Sequence, residues 1–339
     1  MRARGVLAAA LALLPSSARA ANASALVWDD RAVLTRSRDM AGAACVNGTT
    51  VFIAGGSTRS EDGSGEVLSD VEALEVNETT ASWVTKDPLL VPSLNGALCA
   101  ASGTVYAIGG ADGLDATAET QAYNVENDWW DEVPGMPTPR YGHAAASFGN
   151  QCYVFGGAKA APPSAEVPEI TLNVTEVLDA TKQHWESLPP IPTGRWGLAA
   201  AVDPATKRVY VVGGFNNERR PLDTVEIFDI ATRTWITDGS VPADPLPTPR
   251  GGLALGILDG RLIAAGGVEE SATEVGVVEI MDLATGKWTI DSPLPSPRGA
   301  VASVVCNSSF YVIGGSTNAG MITEDSVYIT SAGGEPVSS

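Results

Sequence analysis

The stretch Pro137-Thr138-Pro139-Arg140-Tyr141-Gly142-His143, followed by Tyr153-Val154-Phe155-Gly156-Gly157 and then by Trp185, decides the fold. Tyr153 to Phe155 is a short β-branched and aromatic run stopped by two glycines, the pattern of a buried strand. The small residues Gly142 to Ser147 upstream suit a strand in a crowded interior. The same module recurs. Gly-Gly stands at Gly55-Gly56, Gly109-Gly110, Gly156-Gly157, Gly213-Gly214, Gly266-Gly267 and Gly314-Gly315, each closing an apolar run. After five of the pairs come an alternating strand, clearest at Val225 to Asp229, and a tryptophan: Trp83, Trp129 or Trp130, Trp185, Trp235 and Trp288.

Four short strands per module of roughly 50 residues describe a propeller blade, with one Trp filling each blade interface. The sixth module has its alternating strand (Ser326 to Thr330) but no tryptophan. Ser24 to Asp29, a strand bearing Trp28, has no module of its own. The N-terminal strand is therefore expected to complete the last blade and cover its open edge.

With its recurrent Arg140, Arg195, Arg250 and Arg298 ahead of Gly-Gly, its displaced Arg38 and its Ser93 in the second module, the chain resembles the Kelch-repeat family, without an accompanying BTB-type domain. The resemblance implies an all-β, six-bladed Kelch β-propeller of four antiparallel strands per blade over residues 21–331. Residues 332–339 are expected to be a short flexible tail.

Residues 1–20 read as a signal peptide: a basic start at Arg2 and Arg4, an apolar run from Val6 to Leu14, and small residues at Ala18 and Ala20. The run is too short to span a bilayer, and no later stretch reaches that length. Five Asn-x-Ser/Thr sites, at Asn22, Asn47, Asn77, Asn173 and Asn307, agree with a secreted or secretory-lumen glycoprotein. The net charge of −19 becomes about −22 when the three leader arginines are removed. Such a chain repels nucleic acid and anionic membrane surfaces.

Cys45, Cys99, Cys152 and Cys306 lack metal-ligand spacing, so no metal site is expected. Two bridges, least strained as Cys99–Cys152 and Cys45–Cys306, stand against four buried free thiols.

Function is expected on the face that carries the long b–c loops and the d–a connections, strands being lettered from the axis outward. Ligand-binding candidates there are Arg38, Arg140, Tyr141, Arg195, Trp196, Arg250 and Arg298. Arginines in a ring would make a positive mouth for an acidic peptide or an anionic glycan. The alternative is architectural: the same arginines pair with backbone or with Glu72, Glu176, Glu226 and Glu279. Asn22, Asn47, Asn77 and Asn307 are assigned to the opposite face, which would leave the loop face open to a partner.

Enzymes of this architecture fit less well. Copper-radical oxidases need a histidine and tyrosine set, and His143 and His184, the only histidines, occupy unlike positions. The plant specifier proteins' iron motif is matched only by Glu176, Asp179 and His184 at the wrong spacing. A cofactor-free sugar mutarotase or epimerase, similar to bacterial sialic-acid mutarotase, remains as the enzymatic alternative. A purely structural surface protein is the third reading.

Overall fold

The computed structural model describes residues 25–59, 64–76, 82–112, 115–160 and 169–331. The leader, Asn22, Asn77 and residues 332–339 lie outside them. No helix among the described residues is long and apolar enough to cross a membrane.

Six four-stranded antiparallel sheets form the blades. Blade 1 comprises Gly42–Val46, Thr50–Ala54, Val71–Glu75 and Val84–Lys86. Blade 2 comprises Ala97–Ala101, Thr104–Ile108, Thr120–Asn124 and Trp129–Val133. In blade 3 the strands are Ala144–Phe148, Gln151–Phe155, Thr175–Asp179 and His184–Leu188. Blade 4 has Ala199–Asp203, Arg208–Val212, Val225–Asp229 and Thr234–Ile236, and blade 5 has Ala254–Leu258, Arg261–Ala265, Val278–Asp282 and Lys287–Asp291. Blade 6 takes Ala302–Cys306, Ser309–Ile313 and Ser326–Ser331 from the C-terminal end and Asp29–Val33 from the N-terminal end.

The closing strand is thus real but five residues later than the sequence pattern placed it. Asp29 pairs with Ile329 and Val33 with Ser326. Trp28 sits just ahead of the strand, where its ring meets Phe310 at 6.4 Å.

Each pair of neighbouring blades encloses its own apolar cluster, six in all. Tryptophan stitches them. Trp185 Nε1 donates to Pro134 O at 2.8 Å, in the connection leaving the preceding blade, and Trp130, Trp235, Trp288 and Trp28 repeat the bond. Burial of the indole thereby leaves its polar group satisfied.

The glycines serve the interfaces too. Gly156 and Gly157 both have positive φ, and a Cβ on Gly156 would lie 2.7 Å from Arg195 O of the next blade. Gly157 N donates to that same carbonyl at 2.8 Å. Equivalent bonds run from Gly56 to Ser93, Gly110 to Arg140, Gly214 to Arg250, Gly267 to Arg298 and Gly315 to Arg38, closing a ring.

Two disulfides add covalent ties. Cys45–Cys306 joins the inner strands of blades 1 and 6 across the seam where the chain ends meet. Cys99–Cys152 joins blades 2 and 3.

Candidate functional site at the loop-face mouth

The repeated arginines are the natural starting point, and the structure moves them out of the mouth. Arg38, Arg140, Arg195, Arg250 and Arg298 are all at most 1% exposed. Arg140 donates through Nη1 to Gly156 O and Val174 O, both at 3.1 Å, and through Nη2 to Glu176. Arg38, Arg195 and Arg250 bind Glu72, Glu226 and Glu279 in the same way. The other carboxylate oxygen is capped by Thr138, Thr193 and Thr248 in blades 3, 4 and 5. Arg298 meets Tyr328 instead: Nη2 donates to the phenol oxygen at 2.7 Å, with the guanidinium 4.1 Å from the ring centre.

Each arginine therefore fastens strand c to the first glycine carbonyl of its own blade. Its own carbonyl receives the previous blade's second glycine. A guanidinium with those bonds has no free edge for a ligand. The positive-mouth expectation is corrected accordingly: the charges are neutralised inside the blades. Burial lowers the affinity of Arg38, Arg140, Arg195, Arg250 and Arg298 for protons. Burial likewise raises the Glu226 carboxyl, against the pull of Arg195.

Blade 2 carries a neutral version of this device. Ser93 Oγ donates to Gly109 O at 2.9 Å, and Gln121 occupies the position of the strand-c glutamate.

Two positions after each arginine the backbone enters the left-handed region. Met40, Asn95, Gly142, Gly197, Gly252 and Ala300 all have φ between 52° and 62°. Successive N–H groups donate to the neighbouring blade's carbonyl: Met40 to Ala300, Asn95 to Met40, Gly142 to Asn95, Gly197 to Gly142 and Gly252 to Gly197. This belt surrounds the axis at the loop face. Beyond it, between the inner strands, a channel of about 530 Å³ is lined mainly by small apolar residues such as Ala43, Ala145, Ala200 and Val304.

The residue between arginine and belt lies at the loop face, and the remaining two candidates, Tyr141 and Trp196, hold that position in blades 3 and 4. Tyr141 and Trp196 are half-buried there. Burial, with the Glu169 charge beside it, pushes the Tyr141 phenol up to about 12. Arg219 holds Glu169 at 3.0 Å from the neighbouring blade's loop. Trp196 packs on Phe215 with ring centres 5.1 Å apart, and its buried Nε1 has no hydrogen-bond partner among the described residues. Asp39 occupies the same position in blade 1. It is 1% exposed, accepts Ser57 Oγ on Oδ1 at 2.5 Å and has no partner for Oδ2 among the described residues. Burial raises its carboxyl.

Sequence reasoning missed Asp39, Glu169, Phe215 and Arg219. Phe215 did carry a signal: the residue following Gly-Gly is Ser57, Ala111, Ala158, Val268 or Ser316 elsewhere, and aromatic only here. The loops around the mouth are tied in two arcs. Asn217 Oδ1 accepts Thr171 N at 2.8 Å between blades 3 and 4. Across blades 5, 6 and 1, Glu274 accepts Gly320 N at 2.6 Å and Arg59 donates to Gly320 O at 2.5 Å.

Of the sequons, Asn47 and Asn307 are exposed in the a–b turns of blades 1 and 6, and Asn173 is exposed on the loop side. No group of three His, Cys, Asp or Glu among the described residues could hold a metal ion.

The model of the KLHDC2/KLHL20/DRC7 Kelch-repeats domain matches residues 142–331. Kelch-like protein terF of Aspergillus terreus is 25% identical over 284 residues, covering 80% of this chain and 60% of that protein. Kelch-like protein 40 of Mus musculus is 28% identical over 229 residues, covering 67% of this chain and 34% of that protein. The chain spans between 34% and 60% of the length of these two relatives. The solved structure of YjhT superposes with a TM-score of 0.72 at 17% identity, covering 87% of this chain and 95% of that one.

Proposed function

Because the chain belongs to the Kelch-repeat family, we propose that it is a secreted, N-glycosylated interaction module that holds a partner protein against the loop face of its propeller. The carrying observation is the mouth itself. Half-buried Tyr141, Trp196 and Phe215 stand on the loop face at blades 3 and 4, where Trp196 Nε1 and Glu169 Oε2 are buried with no partner among the described residues, as Asp39 Oδ2 is at blade 1. Rigid aromatics beside unsatisfied polar groups are what recognition surfaces use, because a partner gains both burial and hydrogen bonds there. The belt fixes their backbone, so little ordering accompanies binding.

The opposite face offers short turns and carries the exposed sequons Asn47 and Asn307. Glycans at those turns would stand away from the mouth and leave it accessible.

The test is a photo-crosslinking pair. A photoreactive residue at Asn217, on the loop face, should capture a defined partner from extracellular fluid. The same group at Lys207, in the a–b turn of blade 4, should not. Capture at Lys207 alone would overturn the reading.

Sugar mutarotation is the second reading, favoured by one observation: Asp39 is a buried carboxyl with a raised pKa and a free oxygen near Arg59. Anomer exchange measured by NMR, with Asp39→Asn as control, decides it. A rate equal to that of buffer ends this alternative.

A further inference from the structure

We infer that the loop-face mouth takes a basic segment, a stretch of a partner protein rich in Lys and Arg, rather than an acidic one. This rests on the loop face being the binding face.

The first observation is how the charge is distributed. Among the described residues, the b–c loops (57–59, 64–70, 111–112, 115–119, 158–160, 169–172, 215–223, 268–276 and 316–325) hold thirteen Asp and Glu against four Lys and Arg. Their net charge of −9 is nearly half of the chain's −19. The described a–b and c–d turns of the other face hold three acidic and three basic residues. A uniformly acidic coat for solubility would load both faces. This protein loads one.

The few loop cations are partly spent. Arg219 is paired with Glu169, and Arg59 donates to Gly320 O. The arginines at the base of the mouth are neutralised within the blades, as shown above. A potential of one sign at the rim of a concavity concentrates ligands of the opposite sign.

The second observation is independent of the count. Asp39 Oδ2 is an acceptor with no donor among the described residues, in a side chain of 1% exposure at the base of the face. An arriving ammonium or guanidinium supplies the missing hydrogen bonds, whereas an arriving carboxylate adds a second unpaired acceptor.

The third is the aromatic pair Trp196 and Phe215, half-buried in the same mouth. Indole and phenyl faces attract Lys and Arg heads and tolerate their aliphatic stems. An acidic side chain gains nothing comparable from them.

The probes are fluorescein-labelled decapeptides, one of alternating Arg and Gly, one of Lys and Gly, one of Glu and Gly, and one of Ser and Gly. Anisotropy titration of the full secreted chain should show binding of the two basic peptides only. Their affinity should fall at least about tenfold as salt rises from about 50 to about 200 mM. Glu119→Gln/Glu218→Gln/Glu270→Gln, three exposed loop residues, should weaken the Arg peptide about tenfold at low salt. Glu126→Gln in a c–d turn should leave it unchanged. Asp39→Asn should remove most of the remaining preference for Arg over Ser, with melting temperature read alongside to verify the fold.

Equal or tighter binding of the Glu peptide overturns the inference. So does basic-peptide binding that the triple variant leaves intact, or no basic-peptide binding at all. If the Asn217 crosslink persists in any of those cases, the loop-face reading stands and only the class of partner is wrong. A crosslink at Lys207 alone removes both.

Discussion

Replacing Arg140 by Ser, the residue blade 2 carries at this position, isolates the architectural role of the buried pairs. The wild-type guanidinium holds Glu176, Gly156 O and Val174 O. After Arg140→Ser the hydroxyl can reach the glycine carbonyl, as Ser93 does with Gly109 O at 2.9 Å. Glu176, 1% exposed, keeps only Thr138 Oγ1 at 2.7 Å. Stranding a buried charge costs about 3–5 kcal/mol, and losing the Val174 contact adds about 1 kcal/mol. The single variant should therefore lose about 4–6 kcal/mol, a large share of typical domain stability. Adding Glu176→Gln completes the neutral pair of blade 2 (Ser93 and Gln121) and removes the stranded charge. The double variant should recover at least about 2 kcal/mol, a coupling within the range for contacting residues. The assay is a double-mutant cycle in urea with the disulfides intact. A single variant costing under about 1 kcal/mol, or two costs that simply add, would refute the reasoning.

Three other perturbations have expected outcomes. Deleting Ala25 to Val33 strips the outer strand of blade 6 and the Trp28–Phe310 contact, and should cost at least about 3–5 kcal/mol. A deletion protein that melts with the parent contradicts that topology. His143 Nε2 donates to Ile108 O, and burial with the Arg140 charge holds its pKa down to about 3. The unfolded chain then binds one more proton between about pH 6.5 and pH 3, so His143 stability is complete above that window and lost as pH falls through it. The slope is about 1.4 kcal/mol per pH unit, and His143→Gln should flatten it; an unchanged slope refutes the assignment. Replacing both cysteines of a bridge by Ser should cost more for Cys45–Cys306, which spans 261 residues, than for Cys99–Cys152, which spans 53. The chain-entropy difference is about 1 kcal/mol, and the reverse order of denaturation midpoints is the contrary result.

Most of the architecture was legible because its signals repeat. Gly-Gly marks every interface with the same backbone bond and Trp marks five of the six with the same indole bond, so weak signals reinforce one another. The closing strand was misplaced for a physical reason. Leu26 and Trp28 alternate like a strand, but they pack against blade 5 and only Asp29–Val33 enters the ladder. Recurrence alone left the arginines open between architecture and a ligand ring. What settles their environment is register: Val154 pairs with Glu176 and Ala264 with Glu279, which sets each carboxylate beneath its arginine. No local pattern announces that cross-strand distance. The mouth was legible only in Tyr141 and Trp196, because Glu169 and Arg219 meet from the loops of two separate blades and Asp39 stands on a third. A net charge summed over the whole chain conceals its concentration on one face.

The most direct measurement compares affinity and stability, for the partner captured at Asn217, in two variants. Trp196→Ala/Arg219→Ala alters the mouth, and Arg140→Ser/Glu176→Gln alters only the blade interior. The mouth variant should bind at least about tenfold more weakly per folded molecule, the loss expected of a central aromatic anchor. The interior variant should melt earlier yet bind as the parent does. Loss of affinity in the interior variant, with binding intact in the mouth variant, would contradict a loop-face mouth built on buried arginine supports.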